Sequence, residues 1–188
     1  PTTPIAESME AVQRLMEQGK VRYAGVCNYS PAQMEEAEQV VSLVSNQVPY
    51  SMVRRDIEHD VVPYCLEHGK SILAYSPLQR GLLTGKITPE TQFSATDTRA
   101  SQLYYKPENI RIINRFLDKL RPLAESKGAS IGQLVIRWTV EQPGITIALV
   151  GARNVAQAQQ NAQAASIALT TDEVKLISDE LGRLRLVG

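Results

Sequence analysis

Two spacings of apolar residues alternate along this chain, and each predicts a different kind of element. Apolar residues three or four positions apart predict amphipathic helices, whereas short continuous apolar runs predict buried strands. Four such runs occur, at residues 21–26, 43–48, 71–76 and 145–150, and helical spacing lies before, between and after them. Since no hairpin signal joins the runs, this order predicts an α/β fold with four parallel strands and flanking helices. The strands are short and largely apolar, so we expect them to be buried on both faces.

Signals for helix ends support these assignments. Thr3 precedes Pro4 at the start of the first predicted helix, where it would cap the helix, and Gly19 follows the last apolar position. Ser30, with Gln33 three residues later, forms a capping-box pattern at the start of the second helix. Similar N-terminal caps are predicted for three later helices, at Ser130, Asn154 and Thr170. One long connection, residues 77–108, is rich in Thr, Ser, Gly and Gln, and connections of this length often carry function.

The length of the chain limits the architecture. With 188 residues, we expect residues 1–188 to form a single domain. Four parallel strands with helices form either a small open sheet or one half of an eight-stranded (β/α)8 TIM barrel. A complete barrel needs about 250 residues, and this chain is shorter.

Composition excludes several classes of protein. The apolar fraction of 43% is ordinary for a folded protein and argues against disorder. Lys and Arg number 20, as do Asp and Glu, so the net charge is zero and no nucleic-acid partner is expected. No apolar run approaches the roughly 20 residues of a membrane helix, so no membrane association is expected. Cys27, Cys65 and the two histidines lack the spacing of zinc ligands. We therefore expect no metal, and two packed, reduced thiols in a cytoplasmic protein.

Candidate functional residues follow the predicted strands, because working residues of parallel α/β folds lie at the carboxyl ends of strands. Asn28 follows the first predicted strand, Gln47 lies near the end of the second and Tyr75 near the end of the third. Two amides at one rim could hold a carboxamide, although turn and capping roles are more common for Asn. A tyrosine there could stack on a flat ring, although a core position is the more common role.

A second candidate site follows the fourth predicted strand, where Gly151 and Arg153 precede a helix that begins near Val155. Glycine allows close backbone approach, and the start of a helix offers unpaired N–H groups and a positive dipole end. The Arg153 guanidinium adds a rigid fork that matches phosphate oxygens. The segment predicts an anion site, with a solvated arginine in an ordinary loop as the alternative.

Four segments, taken in order, resemble the landmarks of one known family. They are GKVRYAGVCNYS, SNQVPYS, ILAYSPLQRGLLTGK and ALVGARNVAQAQQNAQA. Their order and spacing are similar to the second half of the aldo-keto reductases, most closely the bacterial branch related to voltage-gated potassium channel β subunits. The resemblance covers nearly the whole chain. It implies a (β/α)8 barrel of which this chain is the second half, without the N-terminal half, and an NADPH-dependent oxidoreductase that reduces aldehydes or ketones.

The resemblance also implies roles for particular residues in binding NADP(H). Asn28 and Gln47 would hydrogen-bond the nicotinamide carboxamide, and Tyr75 would stack under the nicotinamide ring. The residue before Asn28 is usually serine in the family, whereas here it is Cys27. The remaining expected contacts are the pyrophosphate with Ser76, Leu78 and Gly81 and with the loop to Lys86, the adenosine 2′-phosphate with Gly151 and Arg153, and the adenine end with Gln157, Gln160 and Asn161. The family often has an acidic residue where Gln160 stands.

No catalytic residue is predicted in this chain. The family's catalytic tyrosine, its lysine and aspartate partners and its active-site histidine would all lie before the position that matches Pro1. The first four strands of the barrel would lie there too. None of the seven tyrosines in the chain aligns with the catalytic one.

Three functions stay open at this point. The chain could supply most of the cofactor site of a carbonyl reductase, acting on a small-molecule carbonyl substrate once an N-terminal half completes it. It could instead be a non-catalytic half-barrel that binds NADP(H) and self-associates as a homodimer through exposed strand edges. The third function is that of a redox-sensing interaction module similar to the channel β subunits.

Overall fold

The computed structural model describes residues 2–188, and in them seven α-helices and four β-strands alternate as predicted. The strand at residues 21–26 is shorter than predicted and begins at Ala24, because Arg22 and Tyr23 are exposed and have no apolar surface to cover them. In chain order the elements are α1 (Ile5–Glu17), β1 (Ala24–Cys27), α2 (Pro31–Glu38), β2 (Leu43–Pro49), α3 (Val61–Glu67), β3 (Ser71–Tyr75), α4 (Pro107–Ser126), α5 (Ile131–Val140), β4 (Ile145–Leu149), α6 (Val155–Gln163) and α7 (Thr171–Gly182).

The described strands form one sheet in the order β1-β2-β3-β4, and every neighbouring pair is parallel. The predicted fold class, an α/β fold with four parallel strands and flanking helices, is therefore confirmed. In register, Cys27 of β1 lies opposite Gln47 of β2, and Pro49 of β2 lies opposite Tyr75 of β3. Parallel pairing places the carboxyl ends of these strands at one edge of the sheet.

The chain divides into two compact units. The sheet unit consists of residues 2–50, Arg54–Tyr75 and Gln142–Leu149, and contains all four strands with α1, α2 and α3. The helical unit consists of Ser51–Val53, Ser76–Glu141 and Val150–Gly188, and contains α4 to α7 together with the long connection predicted after β3. Among residues 2–188, no helix combines the length and the apolar character needed to cross a membrane.

Buried side chains of the sheet unit come from both helices and strands. Met34 and Ala37 of α2 and Leu43 of β2 are almost fully buried. The expectation that the strands are buried on both faces is wrong for Val44 and Ile147, which are 42% and 46% exposed.

The helical unit has its own buried core. Helix α4 contributes Ile113, Leu117 and Leu120, and α5 contributes Leu134 and Trp138, all with no exposed surface. These are positions at which the spacing of apolar residues predicts an inward face. The core fixes α4 and α5, and the long connection begins and ends on this unit.

Most predicted caps are present, and one is wrong. Ser30 with Gln33, and likewise Ser130 and Thr170 with their partners three residues on, form complete capping boxes, and Asn154 caps α6. Thr3 does not cap α1, because Pro4 occupies the N-cap position and no side chain caps that helix. The first turn is instead closed by Ser8, whose N–H and hydroxyl both donate to the Pro4 carbonyl.

The expectation of two packed thiols is correct for one cysteine only. Cys65 is fully buried in α3, and burial raises the pKa of its thiol to about 11. Cys27 is exposed, because it is the last residue of β1 and its side chain lies at the strand end rather than in the core.

Candidate functional site

Two residues with side-chain amides, Asn28 and Gln47, are joined through their backbones near the carboxyl ends of β1 and β2. Gln47 lies opposite Cys27 in register, and the Asn28 N–H donates to the Gln47 carbonyl over 2.9 Å. Asn28 has a φ of 60°, in the left-handed region that Asn tolerates better than most residues. The chain thus turns away from the sheet directly after β1, and Asn28 and Gln47 lie next to each other as the sequence predicts.

Tyr75, at the end of β3, belongs to the same group. Its hydroxyl donates to Asn28 Oδ1 over 3.1 Å, and Asn28 Nδ2 lies 3.3 Å from Cys27 Sγ. The Tyr75 ring is half-buried, so part of it faces solvent. An aromatic ring held at its hydroxyl beside two amides can stack on a flat ring while the amides bind a carboxamide.

Asn46, which sequence reasoning did not single out, holds the segment after β1. It is fully buried, its Nδ2 donates to the Tyr29 carbonyl over 2.8 Å, and its Oδ1 accepts from the Tyr29 N–H at 3.4 Å. Asn46 and Gln47 look alike in the sequence because both are amides. The alternation of the two faces along β2 could have distinguished them, because Asn46 lies on the same buried face as Val48.

Tyr50, just after β2, is a poor proton donor for chemistry at neutral pH. It is 1% exposed, and its hydroxyl donates to Glu58 Oε1 over 2.5 Å. Burial and this bond to a carboxylate raise the pKa of Tyr50 far above its usual value. Arg55 Nε also donates to Glu58 Oε1, over 2.7 Å, so the carboxylate is held between two donors. This cluster fixes the segment that follows β2 and does not present an acid to solvent.

In the helical unit, directly after β3, a tight turn contains Ser76, Leu78 and Gly81. Ser76 has a φ of 58°, and its carbonyl accepts from the Gln79 N–H at 2.8 Å. The Leu78 carbonyl accepts from the Gly81 N–H at 3.0 Å. Lys86 is exposed five positions further on, where the turn ends. The turn is compact and internally bonded, a form in which backbone N–H groups can be fixed for an anion.

The residues before α6 form an exposed turn. Gly151 and Arg153 are both exposed, and nothing lies within 4 Å of the position that a Cβ would take at Gly151. Asn161 Nδ2 donates back to the Gly151 carbonyl over 3.2 Å. The turn is therefore tied to α6 and open on its outer side.

Two of the N–H groups expected to be open to an anion are already bonded. The Arg153 N–H donates to Gln157 Oε1 over 2.8 Å, and the Gln157 N–H donates to Asn154 Oδ1 over 2.9 Å. The expectation of unpaired N–H groups at this helix start is wrong for these two, because Asn154 and Gln157 cap the turn. Gln160 is exposed, and its carbonyl accepts from Gln133 Nε2. The Arg153 guanidinium is exposed beside this turn and can bind an anion.

No group of three or more His, Cys, Asp or Glu side chains among residues 2–188 has the arrangement of a metal site. The polar groups at the ends of β1 and β3 and in the turn before α6 are amides, a hydroxyl and a guanidinium group. Such groups bind a nucleotide by hydrogen bonding, stacking and charge.

Comparison with known proteins gives a consistent result. Residues 1–181 match the model of the aldo/keto reductase family. The aldo-keto reductase YhdN of Bacillus subtilis is 34% identical over 179 residues, which are 95% of this chain and 54% of that protein. The NADH-specific methylglyoxal reductase of Escherichia coli is 30% identical over 177 residues, again 54% of its length. The chain spans about half the length of the curated relatives it matches.

Solved structures give the same result. The glycerol dehydrogenase AKR11B4 from Gluconobacter oxydans superposes with a TM-score of 0.91 and 36% identity, over 99% of this chain and 57% of that chain. The thermostable aldo-keto reductase Tm1743, solved with the inhibitor epalrestat, superposes with a TM-score of 0.72 and 27% identity. That match covers 96% of this chain and 56% of the other. Both neighbours are longer than this chain.

Proposed function

This chain belongs to the aldo/keto reductase family, and we propose that it supplies the NADP(H) site of an oxidoreductase that reduces aldehydes or ketones to alcohols. In this proposal the chain is the second half of a (β/α)8 barrel. The observation that carries the proposal is the position of Asn28, Gln47 and Tyr75 at or near the carboxyl ends of adjacent strands. Asn28 connects the other two, since its N–H donates to the Gln47 carbonyl and its Oδ1 accepts from the Tyr75 hydroxyl.

The residues at these strand ends fit the nicotinamide end of the cofactor. Asn28 and Gln47 offer both donors and acceptors, which a carboxamide requires. Tyr75 is held by its hydroxyl on Asn28, so its half-buried ring has a fixed position on which the nicotinamide stacks. Bound NADPH would supply a hydride for the carbonyl carbon. Asn28, Gln47 and Tyr75 bind and orient the ring, and no proton transfer is assigned to them.

The turn before α6 fits the 2′-phosphate of NADP(H). Gly151 leaves open space on the outer side of the turn, and Arg153 is exposed beside it. A guanidinium binds phosphate through two parallel hydrogen bonds. Ser76, Leu78 and Gly81 are assigned to the pyrophosphate, with Lys86 closing that segment. Gln157 and Asn161 bond to the turn itself, and together with Gln160 they are assigned to the adenine end.

One relative is named an NADH-specific enzyme, so the proposed preference for NADP(H) over NAD(H) rests on Arg153. Arg153 supports NADP(H), since an exposed guanidinium at the 2′ position has a phosphate to bind only in that cofactor. The names of two relatives suggest the first substrates to test, methylglyoxal for reduction and glycerol for oxidation.

The experiment that tests the proposal is a spectrophotometric assay of the purified protein. NADPH oxidation is followed with methylglyoxal and with a simple aromatic aldehyde, and NADP⁺ reduction is followed with glycerol. A rate proportional to protein concentration and dependent on the carbonyl compound supports the reductase. No catalytic residue is assigned to this chain, so turnover is not required of it alone. Failure to bind either NADPH or NADH in a calorimetric titration would contradict the proposal, because all the assigned cofactor contacts lie in this chain.

The second candidate function is that of a non-catalytic protein that binds NADP(H) and self-associates. One observation favours it. In the described sheet, β1 and β4 each pair with one strand only, and Ile147 of β4 is 46% exposed. The free edge of such a strand, with exposed apolar side chains beside it, is a site for pairing with a second copy.

A further inference from the structure

The segment after Leu78 has an unusual backbone. Gln79, Arg80 and Gly81 have φ values of 43°, 48° and 96°, so three consecutive residues lie in the left-handed region, and two of them carry side chains. Such a run is unfavourable in isolation and persists only where its surroundings hold it. The contacts that hold it lie within the helical unit and involve residues far along the long connection.

Tyr105 and Ser51 hold Gln79. The Tyr105 hydroxyl donates to the Gln79 carbonyl over 2.6 Å, and the Ser51 hydroxyl donates to Gln79 Oε1 over 3.0 Å. Gln79 is only 5% exposed, and Tyr105 is 4% exposed. Burial also raises the pKa of Tyr105 to about 12, so its hydroxyl keeps the proton that it donates. Both the backbone and the side chain of Gln79 are therefore fixed.

Asp97 holds the other side of the turn through two arginines. Arg99 binds the Asp97 carboxylate with two nitrogens, Nε at 3.1 Å from Oδ1 and Nη2 at 2.6 Å from Oδ2. Arg99 Nη1 in turn donates to the Arg80 carbonyl over 3.2 Å. Arg80 Nη2 lies 3.6 Å from Asp97 Oδ1, and its Nη1 donates to Thr98 Oγ1 over 2.8 Å. One carboxylate thus anchors both the backbone and the side chain of Arg80.

Phe93 joins these two sets of contacts. The Arg99 guanidinium lies 4.8 Å from the centre of the Phe93 ring, a cation–π distance. The Phe93 ring meets the Tyr105 ring edge to face, with centroids 5.5 Å apart. We call the connected set Asp97, Arg99, Phe93 and Tyr105 the turn clamp. It links a turn near the start of the long connection to residues near its end.

We propose that Asp97 is a positioning residue for cofactor binding, which holds Arg80 and Arg99 so that the turn at Gln79–Gly81 has its binding conformation before the cofactor arrives. The inference rests on the proposed function, in which Ser76, Leu78 and Gly81 contact the pyrophosphate. Ordering a loop and its side chains on binding lowers affinity, and the turn clamp removes that cost. Asp97 itself acts through the arginines and touches no part of the cofactor.

The test compares three nucleotides by isothermal titration calorimetry with the purified protein. NADPH and NADH both contain the pyrophosphate, whereas adenosine 2′,5′-bisphosphate contains the 2′-phosphate without it. In Asp97→Asn we expect NADPH and NADH to lose affinity by the same factor, roughly three- to tenfold, the equivalent of ordering one or two side chains on binding. The bisphosphate should bind as it does to the wild type. Asp97→Glu should restore part of the affinity, because it restores the charge.

A milder variant covers the case in which Asp97→Asn does not fold. Thr98→Val removes only the hydroxyl that accepts from Arg80, and we expect a smaller loss in the same direction for NADPH and NADH. Unchanged dinucleotide affinity in both variants would overturn the inference, as would an equal loss for all three nucleotides, which indicates general destabilisation. If the wild type binds neither NADPH nor NADH, the proposed function itself fails, so the two failures are distinguishable.

Discussion

Arg153 is the residue to which the proposed preference for NADP(H) is assigned. Its guanidinium is exposed. In the same turn the Arg153 N–H donates to Gln157 and the Gln157 N–H donates to Asn154. These two N–H groups are not available to an incoming phosphate, so the guanidinium provides a larger share of the attraction. We therefore expect a larger loss of NADPH affinity when the guanidinium is removed.

Replacing Arg153 with alanine should weaken NADPH binding and leave NADH binding within about twofold. A hydrogen bond between charged groups contributes about 1.5–3 kcal/mol, so the loss for NADPH should be roughly 10- to 100-fold. The measurement is a calorimetric titration with each nucleotide. Arg111→Ala, which removes an exposed arginine of α4, is the matched control. Equal losses for NADPH and NADH in Arg153→Ala would show that the guanidinium does not read the 2′-phosphate.

Several site residues could be found from the sequence one at a time, and others could not. The positions of Asn28, Gln47 and Tyr75 were predictable because each lies at or near the carboxyl end of a strand, and the carboxyl ends of parallel strands meet at one edge. Asp97 and Tyr105 carry no such signal, since they lie in a Thr- and Ser-rich connection of no regular period. Only the folded connection brings them to the turn near Gln79.

Element ends are where the sequence predicted most and where one prediction failed. The capping boxes of α2, α5 and α7 could be predicted because the N-cap residue and its partner lie only three residues apart in the sequence. The failure at α1 has a simple cause, since Pro4 occupies the N-cap position that Thr3 was expected to take. The sequence did not predict contacts between the side chains of different elements.

Glu38, in the last turn of α2, illustrates such a contact. Its carboxylate pairs with Lys70, which precedes β3, and it accepts from the Leu43 N–H at the start of β2 over 3.2 Å. Lys70 Nζ also donates to the Leu43 carbonyl, over 2.9 Å. Burial acts to raise the pKa of Glu38, but the donors from Lys70 and Leu43 outweigh it and hold the pKa below its usual value. The pair ties the ends of three elements together.

Glu38→Gln should lower the free energy of unfolding by about 1–3 kcal/mol at neutral pH, since it removes a charged hydrogen-bond partner. A carboxyl whose pKa is lowered on folding stabilises the protein above its unfolded value, near 4.5, and loses that effect as pH falls. The difference from the wild type should therefore shrink from pH 7 toward about pH 3. Urea unfolding followed by circular dichroism measures it.

Glu10→Gln is the matched control for this pair. Glu10 lies 3.9 Å from Arg14 in α1, and both side chains are more than half exposed, so its removal should change stability little at any pH. A loss in Glu38→Gln that is the same at pH 7 and about pH 3 would contradict the assignment of the effect to ionisation.

At the scale of the whole molecule, the exposed part of the sheet is where we expect copies of the chain to associate. Ile147 and Val44 are large apolar residues with nearly half of their surface exposed, and they lie on the strands β4 and β2. The formal net charge is zero, so electrostatic repulsion between copies is weak. Both features favour self-association.

We expect the purified chain to self-associate with increasing concentration, and Ile147→Glu to shift it toward monomer by placing a charge on an edge strand. Sedimentation velocity over a hundredfold range of concentration would measure the shift. Leu176→Glu, at an exposed apolar position of α7, is the control and should leave the distribution unchanged. A chain that is strictly monomeric at every concentration would contradict the expectation and would remove the support for the second candidate function.

The sequence by itself determined the class of fold, the order of the elements, most helix ends and the edge of the sheet at which the amides lie. These properties depend on local spacing and on the general geometry of parallel strands, both of which can be read along one chain. The tertiary structure alone decided that Asn46 rather than Gln47 is buried, that Cys27 is exposed, and that Asp97 and Tyr105 hold the turn at Gln79. These properties depend on contacts between residues far apart in the chain, because burial and hydrogen bonding follow distance in space.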